Sequence, residues 1–256
     1  MFIKKFHNYS NSDSSCPVNL VVIHGGPGLN THEDLLSALI PSVCEKLEMS
    51  TTVTFYDQLG CGSSDKPNDA DCYSMDSFVS HLSQILCGLD RVVLFGYSFG
   101  GQIAMEWLCS AYADNVIGLI ISNSPLDESS YAAKNLQIRQ DSGQEMHTYQ
   151  DKEEDEEMAN GSIESLVYAT LIGQGESRIT GSMRDWSVTE RIIPALERIK
   201  IPALFVSGNF DTIPFKEYEI LRGSAEVEII PDTTHVPFFE KRDIFWSAVN
   251  KFLKRV

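Results

Sequence analysis

The chain has 256 residues, of which 43% are hydrophobic and 22% charged, a composition that favours a folded globular protein over a disordered one. Its 20 Lys and Arg residues against 36 Asp and Glu residues give a formal charge of -16. This charge opposes binding to polyphosphate, and no stripe of basic residues interleaves with aromatic ones. We therefore expect no nucleic-acid partner.

Membrane, disulfide and cofactor signals are missing from the sequence. No apolar run approaches the length of a membrane span, and residues 1–15 lack the apolar stretch of a signal peptide, so we expect no membrane partner and a cytoplasmic location. The six cysteines form no C-x-x-C pair, which favours reduced thiols over a disulfide framework or a zinc site. We found no metal, nucleotide or flavin motif and predict chemistry that needs no cofactor.

Strands and helices alternate along most of the chain. Short apolar runs predict buried strands at residues 20–23, 52–56, 92–95, 116–121, 203–206 and 227–230. Helical spacing of apolar residues predicts helices at residues 33–40, 75–86, 101–112 and 244–253. This alternation predicts an α/β fold with a mostly parallel central sheet flanked by helices.

The alternation stops between Leu126 and Arg191. Residues 127–190 contain 14 acidic and 5 basic residues, with the densest charge at residues 151–157. We interpret residues 127–190 as a lid inserted into a core formed by residues 1–126 and 191–256. The charge run indicates a solvated face or, alternatively, a negative potential that attracts cationic substrates to a pocket mouth.

A candidate nucleophile follows the third predicted strand, where Gly96-Tyr97-Ser98-Phe99-Gly100 leads into a helix. A G-x-S-x-G sequence between a strand and a helix is typical of a nucleophile elbow, in which small neighbours permit the sharp turn that exposes the serine. Ser98 is therefore the predicted nucleophile.

Serine needs a base, itself oriented by an acid, and the elbow's usual chain order is serine, acid, histidine. Asp211 and His235 each come shortly after a predicted strand, and the carboxyl ends of parallel strands meet at one edge of a sheet. We predict a catalytic triad of these two residues and Ser98. Asp127 and Asp232 are rival acids.

The first predicted buried strand runs into the sequence His24-Gly25-Gly26-Pro27-Gly28. Its glycines allow backbone N–H groups to approach a ligand oxygen, so Gly26 and Phe99 are the predicted oxyanion-hole donors. Gly25 and Tyr97 are predicted substrate contacts. We expect His24 to bond the loop backbone rather than to act as the base.

Three motifs in order, HGGPG at residues 24–28, DQLGCGSS at residues 57–64 and GYSFGG at residues 96–101, resemble the proline iminopeptidases of the α/β-hydrolase superfamily. The resemblance runs almost from end to end. It implies an α/β-hydrolase fold with a short helical cap inserted after strand 6 of that fold. It also implies acidic side chains that hold the substrate's free α-amino group. Residues 175–181, followed by Asp185-Trp186, resemble the family's cap segment, which makes Glu176 the amine-binding glutamate.

Two positions depart from the family pattern. Ser177 replaces an aromatic residue after that glutamate, and Thr212 replaces a second glutamate after the triad aspartate. We predict a serine hydrolase that forms an acyl-enzyme and acts as an aminopeptidase or amino-acid amidase on short peptides or amides. An esterase, thioesterase or lactonase for a small acyl substrate remains an alternative, as does a hydrolase-fold ligand receptor.

Overall fold

The computed structural model describes residues 3–8, 17–26, 46–130, 186–211 and 215–256. Its strands are β1 (Ile3–Asn8), β2 (Val18–Ile23), β3 (Thr51–Tyr56), β4 (Val92–Tyr97), β5 (Val116–Ser122), β6 (Ala203–Gly208) and β7 (Glu226–Ile230). Its helices are α1 (Met75–Leu86), α2 (Phe99–Ser110), α3 (Ile192–Ile199), α4 (Pro237–Glu240) and α5 (Arg242–Leu253). Short 3₁₀ turns lie at Ala70–Cys72 and Phe215–Leu221.

The seven strands form one sheet in the order β1-β3-β2-β4-β5-β6-β7. β1 pairs antiparallel with β3, and all the other neighbours pair parallel. The prediction of a mostly parallel sheet is therefore confirmed. Because β2 to β7 run in the same direction, the loops that follow them leave the sheet at one edge.

Both faces of the sheet are buried, which explains why its central strands are continuously apolar. In β2, Val21 and Ile23 belong to the core on one face, whereas Leu20 and Val22 belong to the core on the other. α1, α2 and α3 cover the first face, and α5 covers the second. The sheet is thus held between two layers of helices.

The structure confirms the six predicted strands, each of which is longer than predicted by one or two residues. It also confirms the helix predicted at residues 75–86, with the same first and last residues. Ser74 caps this helix by accepting a hydrogen bond from the Ser77 amide, which fixes its start. The helix predicted at residues 101–112 is Phe99–Ser110, because it begins directly after the elbow serine. The helix predicted at residues 33–40 lies outside the described residues.

Three elements were not predicted: β1, α3 and the four-residue helix α4. β1 has the sequence IKKFHN and is an edge strand that pairs only with β3, so it shows no continuous apolar run. α3 has only eight residues and contains Pro194 in its first turn, where proline is tolerated.

The predicted insertion leaves the sheet after β5. β6, which lies beyond the insertion in sequence, pairs parallel with β5, with Leu119 opposite Ala203. The chain therefore returns to the next position in the same sheet. Residues 131–185 lie outside the described residues, so the helical cap and the division into core and cap stay predictions.

Candidate active site

Ser98 sits at a sharp turn between β4 and α2. Its backbone has φ 52° and ψ -123°, an unusual conformation for a residue with a side chain, of the kind that costs about 1–3 kcal/mol and persists only where the surroundings hold it. At Gly100 a Cβ atom would lie 2.1 Å from the Ile23 carbonyl oxygen, so only glycine fits there. This close approach of α2 to the end of β2 fixes Ser98 at the carboxyl edge of the sheet.

Three side chains form a continuous hydrogen-bonded relay. His235 Nε2 lies 3.1 Å from Ser98 Oγ, and His235 Nδ1 lies 3.1 Å and 3.2 Å from the two oxygens of Asp211. Because the Asp211 carboxylate is an acceptor, Nδ1 carries the proton and Nε2 is free to accept one from the Ser98 hydroxyl. The Asp211 side chain is fully buried, whereas that of His235 is 18% exposed. The structure thus brings together the three residues predicted to form the triad.

The two rival acids face other surroundings. Asp127 Oδ1 accepts hydrogen bonds from Ser129 Oγ (2.5 Å) and Ser130 N (2.7 Å). Burial alone would raise the pKa of Asp127, but these and other serine hydrogen bonds lower it to about 2. Asp232 is exposed in the turn after β7. The Asp127 carboxylate therefore braces the start of the predicted insertion, while Asp211 is the acid that contacts the imidazole.

The two predicted oxyanion donors, Gly26 and Phe99, lie in the loop after β2 and at the start of α2. A Cβ on Gly25 would lie 3.2 Å from Ser98 Cβ, so the loop after β2 passes directly beside the serine. Gly26 has φ 140°, which a residue with a side chain rarely adopts. Phe99 opens α2, and the first N–H groups of a helix have no acceptor within it. Pro27 lies outside the described residues.

His24 and Gln58 join two of the sequence motifs. The His24 Nε2 atom accepts a hydrogen bond from Gln58 N (3.1 Å), and Gln58 Nε2 donates to the His24 carbonyl oxygen (2.5 Å). His24 Nδ1 donates to the Gly25 carbonyl oxygen (2.6 Å). The expected structural role of His24 is therefore confirmed. These contacts hold the glycine loop beside Ser98.

Asn123, which follows β5, was not predicted from the sequence. It is fully buried, and its Nδ2 donates to Asp211 Oδ2 (2.6 Å) and to the Thr234 carbonyl oxygen (3.2 Å). Its Oδ1 accepts from Ser122 Oγ (2.8 Å). The signal available was its position: a polar residue just beyond a buried strand, at the edge where Asp211 and His235 were expected.

Glu240 in α4 was also not predicted. Its two carboxylate oxygens accept hydrogen bonds from Thr234 N (2.7 Å) and Thr234 Oγ1 (2.6 Å). Thr234 directly precedes His235, so Glu240 fixes the loop that carries the imidazole. The available sequence signal for this role was an acidic residue five positions after the histidine.

Of the predicted substrate contacts, the structure describes Gly25 and Tyr97 but not Glu176. Tyr97 is 2% exposed, and its ring lies 5.2 Å from that of His235 and 4.9 Å from that of Phe238, centroid to centroid. Its described contacts are thus with the imidazole and the core, and its contact with substrate stays a prediction. Glu176 and Thr212 lie outside the described residues.

A second polar cluster lies where the predicted insertion rejoins the core. Glu106 in α2 accepts two hydrogen bonds from Arg191 (2.7 Å and 2.6 Å) and one from Trp186 Nε1 (2.9 Å). Burial alone would raise the pKa of Glu106, but these hydrogen bonds and the positive charge of Arg191 lower it. We call Glu106, Arg191 and Trp186 the anchor cluster.

The two ends of the insertion pair with each other beside this cluster. Glu128 N donates to the Trp186 carbonyl oxygen (3.0 Å), and Val188 N donates to the Leu126 carbonyl oxygen (2.9 Å). Gln102 Nε2 in α2 donates to Glu128 Oε2 (2.6 Å). The insertion therefore leaves and rejoins the core at adjacent points, both tied to α2.

The described residues contain no group of three His, Cys, Asp or Glu side chains placed to hold a metal ion. No helix in this part of the chain combines the length and apolar character needed to cross a membrane.

A nucleophile elbow followed by an acid and a histidine on later strand ends, carried by a mostly parallel sheet, defines a hydrolase of α/β architecture. The model of the alpha/beta hydrolase family matches residues 20–248, and the chain belongs to that family. A relative named proline iminopeptidase, from Saccharolobus solfataricus, is 27% identical to this chain over an alignment of 277 positions. The alignment covers 93% of this chain and 85% of the relative.

Solved structures share the fold at lower identity. A proline iminopeptidase from Mycobacterium smegmatis superposes with a TM-score of 0.73 at 21% identity, covering 99% of this chain and 94% of that one. An esterase from Exiguobacterium antarcticum superposes with a TM-score of 0.71 at 18% identity, covering 98% of this chain and 95% of that one. The neighbours thus include a peptidase and an esterase of nearly equal similarity. The protein is a hydrolase of this family.

Proposed function

We propose that the protein is a serine hydrolase that works through an acyl-enzyme. The observation that carries the proposal is the 3.1 Å separation of Ser98 Oγ and His235 Nε2, with the other imidazole nitrogen on the buried Asp211 carboxylate. A weakly nucleophilic hydroxyl in this geometry has a base within reach, and the base has a fixed orientation.

In the first half of the reaction, Ser98 Oγ attacks the substrate carbonyl carbon while its proton passes to His235 Nε2. Asp211 stabilises the imidazolium that forms, without taking its proton. The negative charge on the carbonyl oxygen develops beside the backbone, where the amides of Gly26 and Phe99 donate to it. His235 then protonates the leaving group, and the carbon–heteroatom bond breaks.

In the second half, water replaces the leaving group. His235 takes a proton from the water, whose oxygen attacks the acyl carbon, and the Ser98 ester breaks as the proton returns to Oγ. The products are a free carboxylic acid and the regenerated enzyme. No step needs a group beyond the chain's own residues and water.

For the substrate, we propose a short peptide or amino-acid amide with a free N-terminal residue. The similarity to relatives named proline iminopeptidase supports this class. The acidic composition of residues 127–190 adds support, because a negative potential near the pocket attracts an ammonium group. Glu176 is the proposed partner of that group. The cytoplasmic location stays a prediction.

An esterase, thioesterase or lactonase is the second candidate. The observation that favours it is Thr212, which stands where the proline iminopeptidase pattern has a second glutamate. A substrate without an amine needs no second carboxylate, so the replacement costs such an enzyme nothing.

The test compares three chromogenic substrates: proline p-nitroanilide, its N-acetyl analogue and a short-chain p-nitrophenyl ester. We expect cleavage of the free-amine anilide, little cleavage of the acetylated one, and no turnover by Ser98→Ala. Glu176→Gln should slow the free-amine substrate selectively, whereas Glu164→Gln, the same change elsewhere in the acidic segment, should not. Cleavage of the ester alone would reject the aminopeptidase, and an active Ser98→Ala would reject the mechanism.

A further inference from the structure

The amide of Asn123 has only one orientation that satisfies its neighbours. Its Oδ1 lies 2.8 Å from Ser122 Oγ, a hydroxyl that can donate to it. Its Nδ2 faces two acceptors, Asp211 Oδ2 at 2.6 Å and the Thr234 carbonyl oxygen at 3.2 Å. A flipped amide would set its oxygen against both acceptors. Each Nδ2 hydrogen therefore has its own acceptor.

This one amide joins three loops at the carboxyl edge of the sheet. Asn123 follows β5, Asp211 follows β6, and Thr234 follows β7 immediately before His235. The Nδ2 group therefore fixes the distance between the acid and the backbone next to the base. It also places a donor on one oxygen of the buried carboxylate, which stabilises its charged form without a competing positive charge.

The backbone at Asn123 is also unusual, with φ 51°. Asparagine, aspartate and glycine tolerate this left-handed conformation better than other residues do. The position therefore restricts the residue type by conformation as well as by hydrogen bonding. A test of the amide must keep the conformation accessible.

We propose that Asn123 is a positioning residue of the Ser98, His235 and Asp211 triad, acting through the hydrogen bond to Asp211 and through the link to Thr234. The inference rests on the proposed serine-hydrolase function and adds a fourth side chain to it. Asn123 does not touch the reacting atoms; it holds the Asp211 carboxylate where it accepts the hydrogen bond from His235 Nδ1–H.

The experiment measures the rate at which an alkyl fluorophosphonate modifies Ser98. In this reaction Ser98 Oγ forms a bond to phosphorus, fluoride leaves, and His235 takes the hydroxyl proton, so the rate reports the triad without knowledge of the natural substrate. Asn123→Gly removes the amide and Asn123→Asp keeps its size, and both tolerate the positive φ. We expect each variant to slow labelling by about 10- to 100-fold, because a hydrogen bond to a charged group is lost.

Asn115→Gly is the matched control. Asn115 lies at the opposite end of β5, and its Nδ2 also donates to two acceptors, the carbonyl oxygens of Leu86 (3.0 Å) and Leu89 (2.9 Å). This variant removes an equivalent pair of hydrogen bonds far from the carboxyl edge. We expect it to lower the melting temperature and leave the labelling rate within about twofold of the wild type.

A spectroscopic readout separates positioning from general stability. The proton that His235 Nδ1 donates in its hydrogen bond to Asp211 should give a far-downfield ¹H NMR resonance in the wild type, identified by its loss in Asp211→Asn. We expect the Asn123 variants to shift or broaden this resonance while Asn115→Gly leaves it in place. If Asn123→Gly fails to fold, the size-matched Asn123→Asp carries the test.

The outcomes separate the inference from the function on which it rests. Wild-type labelling rates and an unshifted resonance in a folded Asn123 variant would overturn the positioning role. Failure of the wild type to label at all, under conditions where its melting curve is intact, would overturn the serine-hydrolase proposal. Slow labelling in both Asn123 variants, with the control unaffected, would establish the positioning role.

Discussion

Two buried carboxylates, Asp211 and Glu106, accept N–H hydrogen bonds on both oxygens but differ in what their partners can do. Glu106 is held by Arg191, a permanent cation, and by the Trp186 indole, which is only a donor. Asp211 is held by Asn123 and by His235, whose imidazole can take up and release a proton. Because burial and hydrogen bonding are alike, the two carboxylates differ mainly in their partners: Asp211 contacts an imidazole, whereas Glu106 contacts a guanidinium and an indole.

The largest effect should follow from changing the acid of the triad. Asp211→Asn leaves a side chain of the same shape but no longer favours the Nδ1-protonated imidazole or its charged form. We expect kcat to fall by about 10⁴-fold, the scale known for this change in other serine triads, with little change in melting temperature. Steady-state kinetics and thermal unfolding check this, and loss of less than tenfold would contradict a catalytic Asp211.

Changing the other carboxylate should produce the opposite pattern. Glu106→Gln leaves Arg191 without its full ion pair and sets an amide donor against the Trp186 or Arg191 donors. We expect the free energy of unfolding to fall by about 2 kcal/mol, below the range for a fully buried pair because Arg191 is half exposed. Turnover at temperatures where the variant is folded should match the wild type.

The control for that variant is Glu219→Gln, which breaks the ion pair between Glu219 and Arg222. Both of these side chains are about half exposed, so we expect no measurable change in melting temperature. If chemical denaturation gave equal losses of unfolding free energy for Glu106→Gln and Glu219→Gln, the anchor cluster would contribute no more to stability than an exposed ion pair.

The stabilisation from Glu106 should depend on pH in a defined direction. Its pKa in the folded protein is lowered from 4.5, so the stabilising contribution is present above pH 4.5 and is lost as the pH falls through the folded-state value. The difference in melting temperature between wild type and Glu106→Gln should therefore be constant from pH 8 to about 5 and shrink below about 4.5. A difference that grows on acidification would have the wrong sign.

Within the anchor cluster, the smallest effect should come from the indole. Trp186→Phe removes one hydrogen bond to Glu106 while both Arg191 hydrogen bonds remain, so we expect a loss of about 1 kcal/mol. A double-mutant cycle with Glu106→Gln isolates the hydrogen bond from the change in packing. Strict additivity of the two losses would show that the indole N–H contributes nothing through Glu106.

Local patterns were enough to predict most of the fold and the three residues of the relay. Continuous apolar runs exist because both faces of the sheet are covered, and Ser98 is recognisable because its turn requires glycines on either side. Asp211 and His235 follow from their places beyond strands. In each of these positions the physical requirement acts on neighbouring residues, and so it is visible in the sequence.

The residues that sequence reasoning missed have partners far along the chain. Asn123 contacts Asp211, 88 residues away, because β5 and β6 are neighbours in the sheet. Glu106 contacts Trp186 and Arg191, 80 and 85 residues away, across the whole insertion. No spacing rule links such residues, since their contact depends on the order of strands and on where the chain returns. β1 was missed for a related reason: its pairing partner, β3, defines it more than its own composition does.

The pairing of Leu126 and Glu128 with Trp186 and Val188 has a consequence for how such a protein can diversify. Because the two ends of the insertion are already side by side, the entropy of closing the intervening segment depends only weakly on its length. The segment can be lengthened, shortened or exchanged for that of another hydrolase without disturbing the register of the sheet. The inserted segment can therefore vary while the positions of Ser98, Asp211 and His235 at the edge of the sheet stay unchanged.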